Sequence, residues 1–314
     1  MLKYGIMSVS SIAPRFIAAV REANAGEIVA LSSRSLKKAM ATAAELNIKK
    51  AYGDHDLLLK DNDVNAVYIS SINSEHYSMA KKALEHGKHV VCEKPCTTSF
   101  EQSRELFALA KARGLFFMEA QKMLFLPAIK AVADIIKEGR IGKICMIEAN
   151  HSFPGDYNDW MYDKESGGGP LLSSGIYAVQ LIEYLFGKIE GVKGVKSSMP
   201  NGVEWQYVVS GQTESGVLFC IKNSTKCVLD NKARIYGEKG FIEIPNFWKA
   251  QKALVYTDGS SEPVVKEYPA KFEMMYEALH VKECIEKRLI TSPVVTRELT
   301  LSAISVLEKI IKQW

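Results

Sequence analysis

Over its first 120 residues the chain alternates short apolar runs with segments whose apolar residues recur at helical spacing, and few folds accept that alternation. Strand-like runs at 3–7, 28–32, 66–70, 89–92 and 115–118 are separated by helix-like segments at 14–23, 35–46, 76–86 and 99–113. Repeated strand–helix units build a parallel sheet covered on both faces, and right-handed crossovers wind it doubly. Pro14 suits a first helical turn, and Ser35 and Ser99 can cap the helices they precede.

After Pro127 the pattern changes. A helix at 128–138 leads through Gly139 into a strand at 143–151, and a second helix follows at 176–186. From Val192 onward the spacing predicts mostly antiparallel strands. Those at 203–211 and 217–223 join at Glu214-Ser215-Gly216, and 232–236 pairs with 241–244 across Gly237-Glu238-Lys239-Gly240. Segments 272–288 and 297–313 read as closing helices. A chain of 314 residues exceeds a comfortable single core. The expectation is an α/β protein of two domains: a doubly wound parallel sheet over 1–120, and an α+β domain over 121–314 with an open, mostly antiparallel sheet. Helices would cover one face of that second sheet. The strand side carrying Val203, Trp205, Tyr207 and Val209 then needs a cover of its own, which a homodimer or higher homo-oligomer packing sheet on sheet supplies.

Charge excludes one class of partner. The 40 basic and 36 acidic residues give a net charge of +4 without the basic stripe that nucleic acid requires. No window of about 18 apolar residues suits a membrane span, and Arg15 interrupts any signal-like core near the N-terminus. The six cysteines form no CxxC pair, which suits free thiols in a reducing compartment, so a soluble, cytoplasmic protein is expected. No metal is expected either. The histidines show no HxxxH pair, and the one candidate, His151 near Asp156, reads more readily as a strand-end histidine.

The residues that bear chemistry fall at the carboxyl ends of the predicted strands, where open α/β sheets bind ligands. The first turn, Ser8-Val9-Ser10-Ser11-Ile12-Ala13, has the spacing of a dinucleotide fingerprint of the Rossmann type, with serine at both glycine positions and a small residue at Ala13. A hydroxyl can bond a phosphate oxygen, but its Cβ takes room; alone, the turn reads equally as a plain strand–helix connection. About 25 positions on, Leu31-Ser32-Ser33-Arg34-Ser35 lacks the acid that would bond ribose hydroxyls. Ser33 can bond a 2′-phosphate, Arg34 can pair with it and stack on adenine, and Lys37 or Lys38 adds charge, so NADP is favoured over NAD. Glu93-Lys94-Pro95 ends the apolar run from His89 and puts an amine at the mouth of the sheet.

Taken with Ser70-Ser71-Ile72-Asn73-Ser74-Glu75-His76 upstream and Gly167-Gly168-Gly169-Pro170-Leu171-Leu172-Ser173-Ser174-Gly175-Ile176-Tyr177 downstream, these motifs resemble the glucose-fructose oxidoreductase / inositol dehydrogenase (Gfo/Idh/MocA) family. The similarity spans nearly the whole chain, through Gly237 to Trp248. It implies an NAD(P)-binding Rossmann domain and a substrate and dimerisation domain. It implies that Ser70, Ser71, Asn73 and His76 lie along the cofactor, that Glu93 buttresses a loop whose Lys94-Pro95 bond is often cis, and that Glu119 approaches the nicotinamide. Trp160, after Asp159, joins the cofactor contacts. Lys94 and Tyr177 are the implied catalytic pair, tyrosine marking the glucose-fructose oxidoreductase and dihydrodiol dehydrogenase branches. The chain departs from the family at Ser8 and Ser10, at Lys122-Met123-Leu124, and at Ser173, where an aspartate is common.

The resemblance implies an enzyme moving a hydride between nicotinamide and a carbinol or carbonyl of a sugar, polyol or cyclic diol. Two rivals follow from the same residues: a relative that keeps NAD bound while cleaving glycosides, which the missing acid opposes, and a non-catalytic NAD(P)-binding sensor. The serine departures suit the sensor; retention of Lys94 and Tyr177 does not.

Overall fold

The computed structural model describes residues 1–155, 160–257 and 259–314, in two compact units: Met1–Gln121 with Phe272–Arg297, and Lys122–Lys271 with Glu298–Trp314. In the first unit, strands β1 (Lys3–Met7), β2 (Glu27–Ser32), β3 (Lys50–Tyr52), β4 (Ala66–Ile69), β5 (His89–Glu93) and β6 (Phe117–Ala120) alternate with helices α1 (Ala13–Glu22), α2 (Leu36–Glu45), α3 (His55–Leu59), α4 (His76–Glu85) and α5 (Phe100–Arg113). The sheet runs β3-β2-β1-β4-β5-β6 with every pair parallel, so strand order reverses between β1 and β4. That reversal opens the crevice in which such folds take ligands. β4 is buried at every residue, as a strand with both faces covered must be.

Local chemistry sets the ends of these elements. Ser35 caps α2, its side chain accepting from Lys38 N, and Asp54 caps α3 in the same way through Asp56 N. Gly114 closes α5 in the left-handed conformation. The short β3 and α3 escape periodicity because three residues and five are too few to show it. In the core the Phe16 ring of α1 stacks on Tyr68 of β4 at 3.7 Å.

The second unit holds α6 (Pro127–Lys137), β7 (Ile144–Ser152), α7 (Ile176–Phe186), β8 (Ile189–Ser198), β9 (Glu204–Thr213), β10 (Leu218–Ser224), β11 (Lys232–Gly237), β12 (Gly240–Pro245), β13 (Lys252–Thr257) and β14 (Val264–Glu267). Its eight strands run β14-β13-β12-β11-β7-β10-β9-β8, antiparallel except for β7 with β10. Both expected hairpins form, β9 with β10 and β11 with β12. The chain ends in α8 (Met275–Glu286) and α9 (Arg297–Ile311). The sequence reading assigned all of 121–314 to one domain, but Phe272–Arg297 belongs to the first unit. There Phe117 N donates to Ile290 O at 3.1 Å and gives the β6 edge a partner, and Arg15 pairs with Glu273.

The open face of the second sheet is the opposite one from that expected. Val203, Tyr207 and Val209 are buried within the unit, while Val195, Val208, Leu218 and Met146 are exposed. Strand parity accounts for it. Tyr207 lies under the start of α7 and beside the Trp314 ring, so its alternate neighbour Val208 faces outward.

Packing there is tight. Gly175 has an ordinary helical φ of −62°, yet a Cβ on it would lie 2.2 Å from the Tyr207 hydroxyl oxygen. Gly175→Ala should therefore lower stability by about 1–3 kcal/mol, and Tyr207→Phe, which removes the obstructing oxygen, should recover part of that loss. Urea midpoints of the two single variants and the double variant check this; additive effects would show that the crowding is relieved elsewhere.

Candidate active site

The β1–α1 turn lies at the switch point and is held from both sides. Ser8 N donates to Ser32 O at 3.1 Å, and Ser70 Oγ donates to Ser8 O at 3.3 Å. Ser8 has φ +79°, the left-handed region that ordinarily calls for glycine. Ser10 Oγ is buried with no hydrogen-bond partner in the protein. Ser11 is exposed, Ile12 is the N-cap of α1, and the first turn of α1 carries no acidic residue. A phosphate group suits this cradle through the unused Ser10 hydroxyl and the lack of an opposing acid; the helix start itself adds little, since Pro14 has no N–H and Arg15 N and Phe16 N both donate to Ile12 O.

At the end of β2, Ser33 Oγ accepts from Ser35 N, and Lys38 lies exposed on α2. The Arg34 side chain is 81% exposed and reaches Glu75 Oε1 at 3.7 Å. Ser32 Oγ hydrogen-bonds His55 Nδ1 at 2.8 Å. Burial pushes the His55 pKa down, against the charges of Asp54 and Glu75, while Arg34 lowers it further. Glu75 and His55 are additions to the sequence reading. They come from the ends of β4 and β3, so no local spacing ties them to Arg34.

The Lys94 loop is locked from below. The Lys94-Pro95 bond is cis. His76, expected along the cofactor, is 1% exposed, with Nδ1 2.8 Å from Pro95 O and Nε2 3.0 Å from Ser71 O. Its ring joins the β4 and β5 loops. Asn73, another expected cofactor contact, is also buried, at 4% exposure, while Ser71 keeps partial exposure. Glu93 Oε1 accepts from the Tyr68 hydroxyl at 2.5 Å, and its Oε2 lies 3.3 Å from Lys94 N as acceptor, which is a buttressing position. Glu119 is fully buried and accepts from Cys96 N at 3.0 Å, so this carboxylate braces the loop after Pro95. Burial pushes the Lys94 amine below its ordinary value, with Glu93 and Glu119 opposing.

In the second unit Trp160 opens a short 3-10 turn, Trp160–Tyr162, and the glycine run packs behind it. A Cβ at Gly168 would lie 2.4 Å from Met161 O, and one at Gly169 2.4 Å from Glu204 Oε1. Leu171 N donates to that same Glu204 oxygen at 2.9 Å. A π-helical turn, Leu171–Gly175, then delivers Tyr177 into the first turn of α7, 8% exposed. Ser173, at the family's aspartate position, donates its hydroxyl to Gly169 O at 2.8 Å and so stabilises the turn. The sequence reading missed an aromatic group at the end of β7: His151 stacks on Trp248 at 3.8 Å, with Phe153 and Phe247 beside them. Asp159, and Asp156, the expected neighbour of His151, lie outside the described residues.

A doubly wound sheet with a left-handed turn at its switch point and a lysine one strand over has the layout in which dinucleotide-binding folds take their ligand. Residues 2–121 match the oxidoreductase family with an NAD-binding Rossmann fold, and 129–243 match the GFO/IDH/MocA C-terminal domain. The chain is 33% identical over 303 residues to trans-1,2-dihydrobenzene-1,2-diol dehydrogenase of Mus musculus, covering 94% of this chain and 91% of that protein. Among solved structures, the 3-ketoreductase KijD10 of Actinomadura kijaniata, in complex with NADP and TDP-benzene, superposes with TM-score 0.90 at 24% identity, covering 99% of this chain and 97% of that one. The aldose-aldose oxidoreductase of Caulobacter crescentus, complexed with glycerol, gives TM-score 0.89 at 25% identity with the same coverage. The chain belongs to the Gfo/Idh/MocA family of NAD(P)-dependent oxidoreductases.

The lysine has a stability consequence. Because folding lowers its pKa, the protonated form is the disfavoured one: the penalty is full below the folded-state pKa and fades as pH rises from there toward the ordinary value near 10.4. Lys94→Met should therefore melt above the wild type at pH 7, with the gap narrowing toward pH 10. Thermal melts across that range check it, and a lower melting temperature at pH 7 contradicts it.

Proposed function

We propose that the protein is an NADP-preferring dehydrogenase or reductase acting on a carbinol or carbonyl of a sugar, polyol or cyclic diol, with Lys94 and Tyr177 as its catalytic pair. The observation that carries this reading is the bracing of the backbone that bears Lys94, by His76 at Pro95 O, Glu93 at Lys94 N and Glu119 at Cys96 N, because a desolvated amine carried on so fixed a loop at that edge has a chemical rather than a packing use. The bound nicotinamide supplies the redox chemistry. Lys94 donates a hydrogen bond to the substrate oxygen and stabilises the charge it develops, while the Tyr177 phenol takes the hydroxyl proton in oxidation and returns it in reduction. The stacked His151 and Trp248 rings offer a flat apolar wall suited to a ring-shaped substrate. The activities named for the relatives, on a dihydrobenzene diol and on aldoses, support this class.

The first unit then holds the cofactor and the second the substrate. The second also dimerises through its open face, where Val195 opposes Val208 and Leu218 opposes Met146 across neighbouring strands. Six free cysteines fit a reducing, cytoplasmic setting, and among the described residues no helix is long and apolar enough to cross a membrane.

Lys94→Met and Tyr177→Phe should each cut turnover by at least about 100-fold while leaving the dissociation constant for NADPH within a few fold, as read by steady-state kinetics beside fluorescence titration. Full activity in both variants would remove the assignment. For the interface, Val208→Asp with Leu218→Asp should convert the protein to monomers in sedimentation velocity; a wild type that is already monomeric at micromolar concentration refutes it.

A further inference from the structure

The second strand ends without an acid, yet the fold brings one to the same place from another strand. Glu75 follows β4, and its carboxylate meets the Arg34 guanidinium at 3.7 Å across the crevice mouth. The backbone that carries Glu75 cannot withdraw. Glu75 N donates to Ile72 O at 3.0 Å, and its carbonyl accepts from Ser78 Oγ at 3.0 Å. On either side Asn73 is 4% and His76 1% exposed, the latter anchored to Ser71 and Pro95. Arg34 is the more exposed partner, with its side chain 81% exposed against 34% for Glu75. His55, held by Ser32, feels both charges, so three chemically distinct groups converge where β2, β3 and β4 end.

These charges select between the two nicotinamide dinucleotides in opposite senses. A guanidinium favours a 2′-phosphate, whereas a carboxylate repels that phosphate and accepts a hydrogen bond from a free 2′-hydroxyl. We propose that Glu75 is a cofactor-discriminating residue that, by pairing with Arg34 at the adenosine end of the site, holds down affinity for the 2′-phosphate and lets the protein accept both NADPH and NADH. The assignment rests on the reading of this edge as the adenosine end of an NAD(P) site. An ion pair this exposed shifts an equilibrium by no more than about five-fold, so the pair tempers the preference that Arg34 creates without reversing it.

The test is a fluorescence titration of the full-length, cofactor-stripped protein with NADPH and with NADH at low ionic strength, where exposed charges are least screened. Wild type, Glu75→Gln, Arg34→Ala and the double variant are compared. Glu75→Gln keeps the side-chain shape, so its melting temperature should match the wild type. It should tighten NADPH about three- to five-fold and leave NADH unchanged or weaker. The shift should shrink in the Arg34→Ala background, since part of it acts through the guanidinium. An unchanged ratio of the two dissociation constants in Glu75→Gln overturns the proposal. A wild type that prefers NADH, with the ratio still moving toward NADPH in the variant, upholds the role of Glu75 while overturning the NADP preference. Binding of NADPH alone overturns the role of Glu75 and leaves the NADP preference standing, while failure of both nucleotides to bind the wild type overturns both.

Discussion

A buried imidazole holds together the sheet edge of the first unit that carries Lys94. Both acceptors of His76 are backbone carbonyls, Pro95 O and Ser71 O, and the ring is 1% exposed. A neutral imidazole has one N–H and can satisfy only one of them fully. Burial lowers the His76 pKa, and the two carbonyls pull it back. The ring thus bridges two loops under opposing demands, and its geometry is useful whichever nitrogen carries the proton. Around it Glu93 is fixed by Tyr68, whose ring is in turn stacked on Phe16, and Glu119 is fixed by Cys96 N. Helix packing in the core is thereby transmitted to the loop that displays Lys94. The lysine tolerates its desolvation because two buried or half-buried carboxylates offset it, and neither has to be the catalytic group.

The second unit meets its own demand differently. It places Tyr177 through crowding where the first unit relies on polar bracing. Gly168, Gly169 and Gly175 each lie where a Cβ would meet an oxygen within 2.4 Å, so the run is dictated by close approach rather than by loop flexibility. Glu204 is the anchor. It is 8% exposed, accepts from Leu171 N, and burial pushes its pKa up against that hydrogen bond. The π-helical turn that follows shifts the register at the start of α7, and π-turns of this kind accompany functional sites.

How far the sequence could be read depended on how far apart the interacting residues lie along it. The parallel sheet, the hairpins and the lysine at the end of β5 follow from local periodicity and from one strand's carboxyl end. β3 and α3 were too short to register, and β8 hides its strand alternation because Gly191-Val192-Lys193-Gly194-Val195-Lys196 repeats with a period of three, not two. The face of β9 was misjudged for another reason: alternation shows which residues share a side, while the side the helices cover is set by α7 and Trp314, far off in sequence. The roles of His76 and Glu119 needed the positions of Pro95 and Cys96. Glu75 and His55 carry no local signal at all, because their relation to Arg34 exists only once β3, β2, β1 and β4 lie side by side.

The serines of the first turn show how a dinucleotide cradle can keep its shape without its glycines. A non-glycine residue in the left-handed region costs about 1–2 kcal/mol, and Ser8 bears that cost at φ +79° because its amide, its carbonyl and the adjoining Met7 carbonyl are all hydrogen-bonded to neighbouring strands. Strand pairing, not residue type, therefore enforces the turn. What the substitutions change is its surface. Glycine offers a phosphate only backbone N–H groups, whereas Ser10 adds a buried hydroxyl that the protein leaves unbonded. A buried donor already stripped of water has no competing bond to give up when an anion arrives. Its bond to the anion offsets the closer approach which the extra Cβ denies, so loss of the glycine pattern is compatible with retained cofactor binding.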